Sequence, residues 1–367
     1  MLRKFNCVCS IIFFLICFLI FTLIKNLSSV DYKTRGKEFL SDVRKSNGEI
    51  HQTMVNLEEE NRKRIFRVQN VCKIYNLGCY KNHDYQTNQV FKYPPTPQYS
   101  VFYIDQINKI SYCPIYKAGS TTWLHNMCLL MNVSESVLTN EKEQISSIAR
   151  KVIPELDFPE AEKAMLATTK LLIVRHPFER LLSAYRDKLE NSIAGREHGT
   201  LHFYRKYGRT IVKKYRDKNF TPPTENEFIR KENEPKPAGI EPTWKEFVNY
   251  LIDINLENYA DDHWIPYYLY CTPCSLNYTF IAKVESLDRD QSFIINKLIL
   301  NNKIRPIHRH QVSLNDKSNP SKIYFRQLTQ QQISQLYNKY KLDFEMFDYS
   351  AEIYYSYASD FFQYNDY

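Results

Sequence analysis

The stretch Tyr112–Trp123 most constrains the fold, because it predicts a strand, a tight loop and the start of a helix. The largely apolar run Ile110–Tyr116 predicts the strand, and Lys117–Thr122 forms the loop. A helix is predicted from about Thr121. A strand that leads through a short loop into a helix is the repeating unit of α/β proteins.

The loop of this unit carries the groups that bind an anion. It contains one cation, one glycine and three hydroxyls: Lys117, Gly119, Ser120, Thr121 and Thr122. Backbone N–H groups at a helix N-terminus attract anions, and hydroxyls and a lysine strengthen that attraction. Because the GxxxxGK[ST] pattern is absent, this is not a Walker loop. We predict a shorter anion cradle, with an ordinary strand–turn–helix corner as the structural alternative.

Strands and helices alternate along the chain. The apolar run Thr168–Val174 is typical of a buried parallel strand, and Pro177 suits the start of a helix over Phe178–Leu189. Tyr278–Val284 predicts another strand. The other predicted helices are Thr121–Met131, Glu141–Val152, Leu201–Tyr215, Trp244–Ile252, Asp288–Leu300 and Thr329–Tyr340. The alternation predicts an α/β fold with a central, mainly parallel sheet flanked by helices.

The N-terminus predicts a membrane anchor. Cys7–Ile24 contains no charged residue and is just long enough to span a bilayer, and Arg3 and Lys4 precede it. No small-x-small cleavage site follows, so a signal anchor is favoured over a cleaved signal peptide. The predicted segments are a cytoplasmic head (1–6), a transmembrane helix (7–24), a lumenal stem (25–65) and a catalytic domain (66–367).

The cysteines agree with an oxidising compartment. Outside the apolar segment they number six: Cys72, Cys79, Cys113, Cys128, Cys271 and Cys274. An even number suits disulfides, although the sequence does not choose among the pairings. A zinc site at the CxxC motif Cys271–Cys274 is disfavoured because no second CxxC motif accompanies it. A thioredoxin-like redox site is disfavoured because the motif lies beside a Pro-containing loop. Glycosylation sequons lie at Asn132, Asn219 and Asn277, of which Pro222 weakens the second.

A second candidate anion site lies in Ile173–Glu190. Arg175 leaves the end of a predicted strand, and Ser183 lies about two turns into the helix that follows. Arginine offers a forked donor to a phosphate group, and serine adds a neutral hydrogen bond. The structural alternative is a strand–helix corner with a surface arginine.

These two units together resemble the Golgi carbohydrate sulfotransferases. A strand–KxGSTT–helix followed by a strand–RxPFERLLSAYRDK–helix is similar to the group of chondroitin, dermatan and GalNAc 4-O-sulfotransferases and the HNK-1 sulfotransferase. Further similar segments follow in the same order: Phe203–Arg216, Pro242–Leu251, Asp261–Cys274, Phe280–Leu287 and Tyr337–Tyr349. The resemblance covers roughly Phe66–Tyr349.

The resemblance implies a P-loop-like sulfotransferase domain that uses 3′-phosphoadenosine 5′-phosphosulfate and no metal. Lys117 would stabilise the bridging oxygen as the sulfuryl group leaves. Arg175 and Ser183 would hold the 3′-phosphate. The residues implied to bind the 5′-phosphosulfate, besides Lys117, are Ala118, Gly119, Ser120, Thr121 and Thr122. The implied acceptor is a glycan in the Golgi lumen.

A general base must remove the proton of the acceptor hydroxyl. His263 is the first candidate, with Asp261 or Asp262 as an alternative or as the group that orients it. His125 is the second candidate, and a structural histidine remains possible for either. His198 and His202 have metal-ligand spacing, but no third ligand accompanies them.

The chain carries a net charge of +8, which favours anionic ligands but is too diffuse to indicate nucleic acid. Arg205, Arg209 and Lys213 recur every four residues and predict a basic helix face. That face suits a polyanionic glycan such as a glycosaminoglycan, or is simply a solvated surface.

The chain departs from the family pattern at four positions: Tyr116, Ser120, Thr122 and His176. Serine and threonine still donate hydrogen bonds, so donor binding is expected to survive, while the acceptor stays open. A catalytically inactive, membrane-anchored glycan-binding protein is the non-enzymatic alternative. A nucleotide kinase is disfavoured, because neither a Walker lysine nor a metal-binding acidic residue at a strand end is evident.

Overall fold

The computed structural model describes residues 52–80, 97–140, 142–190, 200–216, 219–221, 241–307 and 319–360. The chain divides into two units, Met1–Glu59 and Glu60–Tyr367, and the second unit contains the sheet and every predicted site residue. The predicted head, membrane helix and most of the stem lie outside the described residues. Within the described ranges, no helix is both long enough and apolar enough to cross a membrane.

A four-stranded sheet forms the centre of the second unit. Its strands are β1 (Tyr103–Asp105), β2 (Ile110–Cys113), β3 (Thr169–Val174) and β4 (Phe280–Lys283), in that order. β1 pairs antiparallel with β2, whereas β2–β3 and β3–β4 are parallel. The prediction of a central, mainly parallel sheet is confirmed. β2 is shorter than predicted because Pro114 has no N–H group for the ladder.

Helices flank the sheet. They are α1 (52–74), α2 (Ser120–Leu130), α3 (Glu135–Thr139), α4 (Ile145–Val152), α5 (Phe158–Ala167), α6 (Pro177–Lys188), α7 (Thr200–Phe203), α8 (Arg209–Tyr215), α9 (Trp244–Asp253), α10 (Leu256–Tyr259), α11 (Tyr267–Tyr270), α12 (Leu287–Lys297), α13 (Pro320–Phe325), α14 (Gln330–Met346) and α15 (Glu352–Tyr355). A π-helical turn, Tyr204–Gly208, joins α7 to α8. Short 3₁₀ turns cover Gly78–Tyr80, Tyr99–Val101 and Val284–Ser286.

Local chemistry fixes where several of these helices begin. Pro177 is the first residue of α6, where its missing N–H costs nothing. Thr243 and Glu246 form a reciprocal capping box at α9, and Thr329 does the same with Gln332 at α14.

Two apolar clusters hold the helices against the sheet. The first packs sheet residues such as Leu172, Val174 and Ile281 against α11 and the end of α14. The second joins α6, α9, α13 and α14 through large aromatic side chains: Phe178, Trp244, Phe247, Trp264, Phe325, Tyr340 and Phe344. Each such buried side chain contributes about 1.5–3 kcal/mol. Because residues of α14 belong to both clusters, this helix fixes the position of α6 relative to the sheet.

Two disulfides anchor the segment that follows α11. Cys271 pairs with Cys113 at the end of β2, and Cys274 pairs with Cys72 on α1. The CxxC therefore forms two separate crosslinks. The expectation of disulfides is confirmed, and of the six cysteines outside the apolar segment Cys79 and Cys128 are free thiols in the structure. The Cys113–Cys271 bond lies just before the predicted cradle and steadies its entry strand.

Candidate functional site

The carboxyl ends of the three parallel strands meet at one edge of the sheet. β2 leads into the loop that carries Lys117, β3 leads directly to Arg175, and β4 leads to Glu285. Ligands of open α/β sheets bind at this edge, because the loops that leave the strands converge there.

The loop after β2 has the backbone of an anion cradle. Lys117 and Gly119 both have positive φ angles, of 68° and 74°, and α2 begins directly after Gly119. A Cβ atom added at Gly119 would lie 3.3 Å from Leu287, so a side chain there would be strained and crowded. Ala118 is buried, and its N–H donates to the Ile115 carbonyl. Ala118 therefore shapes the loop.

The first turn of α2 supplies the donors of the cradle. Ser120 and Thr121 are half-buried at the helix N-terminus, where backbone N–H groups lack intrahelical acceptors. The Thr122 N–H donates to the Gly119 carbonyl, and its side chain is buried. The hydroxyls of Ser120 and Thr121 are thus the better placed of the three for a ligand.

Lys117 and Arg175 lie side by side at this edge of the sheet, and the space beside them is here called the cleft. A guanidinium nitrogen of Arg175, Nη1, donates to the Lys117 carbonyl at 3.3 Å, so the two predicted anion sites adjoin. Ser183 is half-buried on α6, and among the described residues it forms no hydrogen bond with Arg175. The geometry therefore joins Lys117 and Arg175 directly, while Ser183 lies on α6, the helix that follows Arg175.

Each of the two cations has an acidic neighbour. The Lys117 ammonium lies 3.2 Å from the Asp187 carboxylate, and Arg175 lies 3.9 Å from Glu179. Burial lowers the pKa of Lys117, and the attraction of Asp187 opposes that shift. A bound anion would compete with these carboxylates for the two cations.

His263 has the arrangement of an oriented base. Its Nδ1 lies 2.7 Å from Asp261 Oδ1, and the backbone N–H of His263 donates to the same oxygen at 3.1 Å. Tyr207 donates to the other carboxylate oxygen of Asp261 at 2.8 Å. Burial lowers the pKa of His263, although Asp261 opposes it, so the ring is neutral near pH 7. A neutral ring that donates from Nδ1 leaves Nε2 able to accept a proton.

Asp261 is held as a carboxylate. Burial alone would raise its pKa, but hydrogen bonds from His263 and Tyr207 keep the pKa well below the usual range. Asp262 is exposed, and its backbone carbonyl, not its carboxylate, is tied into the site. Of the two predicted alternatives, Asp261 is the residue that orients His263.

A buried arginine connects the cradle to this base. Arg180, 1% exposed, donates to the carbonyls of Tyr116, Ile265 and Asp262 at 3.0, 2.6 and 2.9 Å. Tyr116 precedes Lys117, and its ring stacks on His263 with centroids 4.7 Å apart. Lys117 and His263 are therefore parts of one connected site.

The other predicted histidines have different surroundings. His125 is buried on α2 and lies 3.1 Å from Glu135, which suits a structural hydrogen bond. His202 is exposed, and His198 lies outside the described residues. No group of three or more His, Cys, Asp or Glu residues that could hold a metal occurs in the part of the chain that the structure describes.

Arg205, Arg209 and Lys213 are exposed along the helical segment 200–215. Tyr207 and Lys206 of the same segment donate hydrogen bonds to Asp261, so this basic face adjoins the site.

The asparagines of the three predicted glycosylation sequons are exposed: Asn132, Asn219 and Asn277.

His176, which departs from the family pattern, fills a structural position. Its backbone N–H donates to Glu285 at 2.8 Å, and its ring lies 2.9 Å from the Ser350 carbonyl. Its ring also stacks on Tyr354, with centroids 4.9 Å apart. His176 thus fixes the backbone next to Arg175 against the C-terminal helices.

Comparison with known proteins identifies the family. The model described as "Sulfotransferase family" matches residues 100–350, which contain the cradle, Arg175 and His263. This chain belongs to the sulfotransferase family. The sulfotransferase is 30% identical to rat carbohydrate sulfotransferase 11 over 257 residues, which are 68% of this chain and 67% of the rat protein.

Two further relatives are more distant. Human carbohydrate sulfotransferase 9 is 27% identical over 299 residues, or 80% of this sulfotransferase and 61% of the human protein. Mouse carbohydrate sulfotransferase 8 is 28% identical over 260 residues, or 70% and 58% of the two chains. No solved structure matches the chain significantly.

Family membership implies 3′-phosphoadenosine 5′-phosphosulfate as the donor, and the site fits it. This nucleotide carries anionic groups at two ends. The cleft has two cations on separate strand ends, and one of them adjoins a helix N-terminus with two hydroxyls. Lys117, Ser120 and Thr121 would hold the phosphosulfate end, and Arg175 the 3′-phosphate.

The pH profile of the sulfotransferase tests His263. Because burial lowers the pKa of His263 below 6.5, the neutral base persists under mildly acidic conditions. We expect the acidic limb of kcat/KM, which reports the free enzyme, to fall below pH 6.5 and His263→Ala to reduce kcat by about 10²–10⁴-fold. The exposed His202→Ala variant is the matched control. An unaltered acidic limb in His263→Ala would assign the base elsewhere.

Proposed function

We propose that this protein is a carbohydrate O-sulfotransferase that moves the sulfuryl group from 3′-phosphoadenosine 5′-phosphosulfate to a sugar hydroxyl. The acceptor that we propose is the 4-hydroxyl of GalNAc in chondroitin, dermatan or a related glycan. The observation that carries the proposal is the connection of Lys117 to an oriented His263 through Arg180 and Tyr116.

The two functional groups divide the chemistry between them. The donor, when bound, supplies the sulfuryl group and a phosphate as leaving group. Lys117 neutralises the charge that develops on the oxygen between phosphorus and sulfur as the bond from this oxygen to sulfur breaks. His263 Nε2 takes the proton of the acceptor hydroxyl while its oxygen bonds to sulfur, and Asp261 stabilises the imidazolium.

Two observations support a glycan as acceptor, and the second favours a polyanionic one. The relatives are named carbohydrate sulfotransferases. The exposed residues Arg205, Arg209 and Lys213 form a basic face on the helical segment 200–215. Tyr207 of the same segment donates a hydrogen bond to Asp261 in the site. A chain of uronate and sulfate groups would gain favourable electrostatic energy along such a face.

We propose the Golgi membrane as the location, with a single-pass anchor at Cys7–Ile24 and the catalytic domain in the lumen. Two disulfides favour an oxidising compartment. The exposed sequon residues Asn132 and Asn277 are compatible with a lumenal face.

Transfer of labelled sulfate to a glycan panel tests the function. The panel contains chondroitin, dermatan, N-glycans with terminal GalNAc, and desulfated and neutral controls, and linkage analysis locates the product. We expect transfer to GalNAc O4, weakened by added salt when the acceptor is anionic. Binding of the donor without transfer to any glycan would favour the inactive glycan-binding alternative.

Arg175 is tested by its selectivity for the 3′-phosphate. We expect Arg175→Ala to weaken binding of adenosine 3′,5′-bisphosphate by about 10–100-fold, because a hydrogen bond between charged groups is lost. Binding of adenosine 5′-phosphate, which has no 3′-phosphate, should change little. Calorimetry measures both, with the exposed Arg326→Ala as control. Equal losses for the two nucleotides would contradict the assignment.

A further inference from the structure

Asp187, in the last turn of α6, lies between two lysines of the site. Its carboxylate oxygen Oδ2 is 3.2 Å from the Lys117 ammonium and 3.2 Å from the Lys188 ammonium. Its side chain is 44% exposed, whereas those of Lys117 and Lys188 are 25% and 14% exposed. The carboxylate thus reaches from the surface into a pocket of partly buried positive charge.

This cluster makes the charge of Lys117 depend on its neighbours. Burial, the Lys188 ammonium and the Arg175 guanidinium all disfavour the charged form and lower its pKa, while Asp187 favours the charged form. Glu179 lies against Arg175 and not against Lys117. Among the carboxylates that the structure describes, Asp187 is therefore the one that pairs with the Lys117 ammonium.

The place that Asp187 occupies is also the place where an anion would meet Lys117. An ammonium has a compact charge and a flexible stem, so it can exchange one anionic partner for another. Lys188 remains beside Asp187 after such an exchange, which leaves the carboxylate paired.

We propose that Asp187 is a positioning residue that holds the Lys117 ammonium in the cleft of the free enzyme and is displaced from it by the donor. The proposal rests on the assignment of Lys117 to the phosphosulfate end of the donor. It makes Asp187 both a support for the charge of Lys117 and a competitor of the donor.

Binding of adenosine 3′,5′-bisphosphate to Asp187→Asn tests both roles. The competing charge is lost, so we expect binding at pH 7 to tighten by about 1.5-fold to fivefold, the range for a half-exposed ion pair. The alkaline loss of affinity, which follows deprotonation of Lys117, should begin at lower pH than in the unaltered protein. Calorimetry between pH 7 and 10 measures both effects.

Asp253→Asn is the matched control, because Asp253 is 45% exposed and pairs with Lys214 at 2.8 Å outside the cleft. This control substitution should change neither the affinity at pH 7 nor the pH at which affinity is lost. Equal affinity and an equal alkaline profile for Asp187→Asn would overturn the proposal, as would weaker binding at pH 7.

Turnover adds an independent check. The pH profile of kcat/KM reports the free enzyme and that of kcat the bound complex. We expect Asp187→Asn to shift the alkaline limb of kcat/KM alone, and a shift in both would mean that Asp187 is not displaced. If no glycan is sulfated, the proposed function fails, while the binding experiment still decides the role of Asp187.

Discussion

Replacing Lys117 with alanine is expected to reduce sulfuryl transfer by about 10²–10³-fold or more while the protein still folds. Removing one preorganised group that stabilises developing charge typically costs that much in rate. The fold should survive because the Lys117 ammonium is partly exposed and its partner Asp187 keeps Lys188. Transfer of labelled sulfate measures the rate, and thermal unfolding measures the stability.

The choice of alanine isolates the ammonium group. Lys117 has a φ angle of 68°, which is strained for any residue with a Cβ atom, so alanine keeps that strain and glycine would relieve it. Lys151→Ala is the control, since Lys151 is also ion-paired, with Glu143 at 2.7 Å, but lies on α4 outside the cleft. Turnover close to normal in Lys117→Ala would remove this lysine from the mechanism.

The sequence predicted the strands and helices around the site because their signals are local. The apolar run ending at Val174 and the proline at position 177 place a strand and a helix almost as observed. Helix ends were less predictable: α14 was expected to end at Tyr340 but continues to Met346. Its last residues are held by burial of Leu342, Phe344 and Met346, which is a tertiary effect.

The strand β1 was missed for a similar reason. Tyr103–Asp105 has only three residues and follows a proline-rich stretch, so its pattern is too short to indicate a strand. It exists because it pairs with β2 as a hairpin edge, and the buried Asp105 side chain accepts hydrogen bonds from the Ile107 and Asn108 N–H groups at the turn.

In the site, the sequence indicated residues whose type already implies chemistry. Lys117 and Arg175 were predicted from their places at strand ends, and His263 from its acidic neighbours. Arg180 and Asp187 were missed, although both lie in the segment FERLLSAYRDK that carries the family resemblance. Their roles depend on groups distant in sequence, and the hydrogen bonds of Arg180 go to main-chain carbonyls, which no residue pattern encodes.

Replacing Arg180 with methionine is expected to lower the free energy of unfolding by about 3–5 kcal/mol. Removing one side of a buried, charge-assisted network leaves its partners desolvated and unpaired. Here the carbonyls of Tyr116, Asp262 and Ile265 would each lose their arginine donor. Methionine fills a similar volume and thereby separates the loss of hydrogen bonds from the creation of a cavity.

The matched control is Arg186→Met, on the same helix. Arg186 is 45% exposed and lies 3.7 Å from Glu190, so its loss should cost less than about 1 kcal/mol. Urea unfolding of both variants measures the difference. Equal stabilities would show that the three carbonyls find other partners when the guanidinium is removed.

Activity separates the connecting role of Arg180 from its contribution to stability. At a temperature where Arg180→Met is folded, we expect kcat to fall, because Tyr116 and the loop of His263 are no longer held together. Affinity for adenosine 3′,5′-bisphosphate should fall much less, since Arg175 and the N-terminus of α2 remain. Arg180→Lys should restore part of kcat, because an ammonium can satisfy some of the three carbonyls. A folded Arg180→Met with normal kcat would mean that the cradle and the base keep their alignment without this arginine.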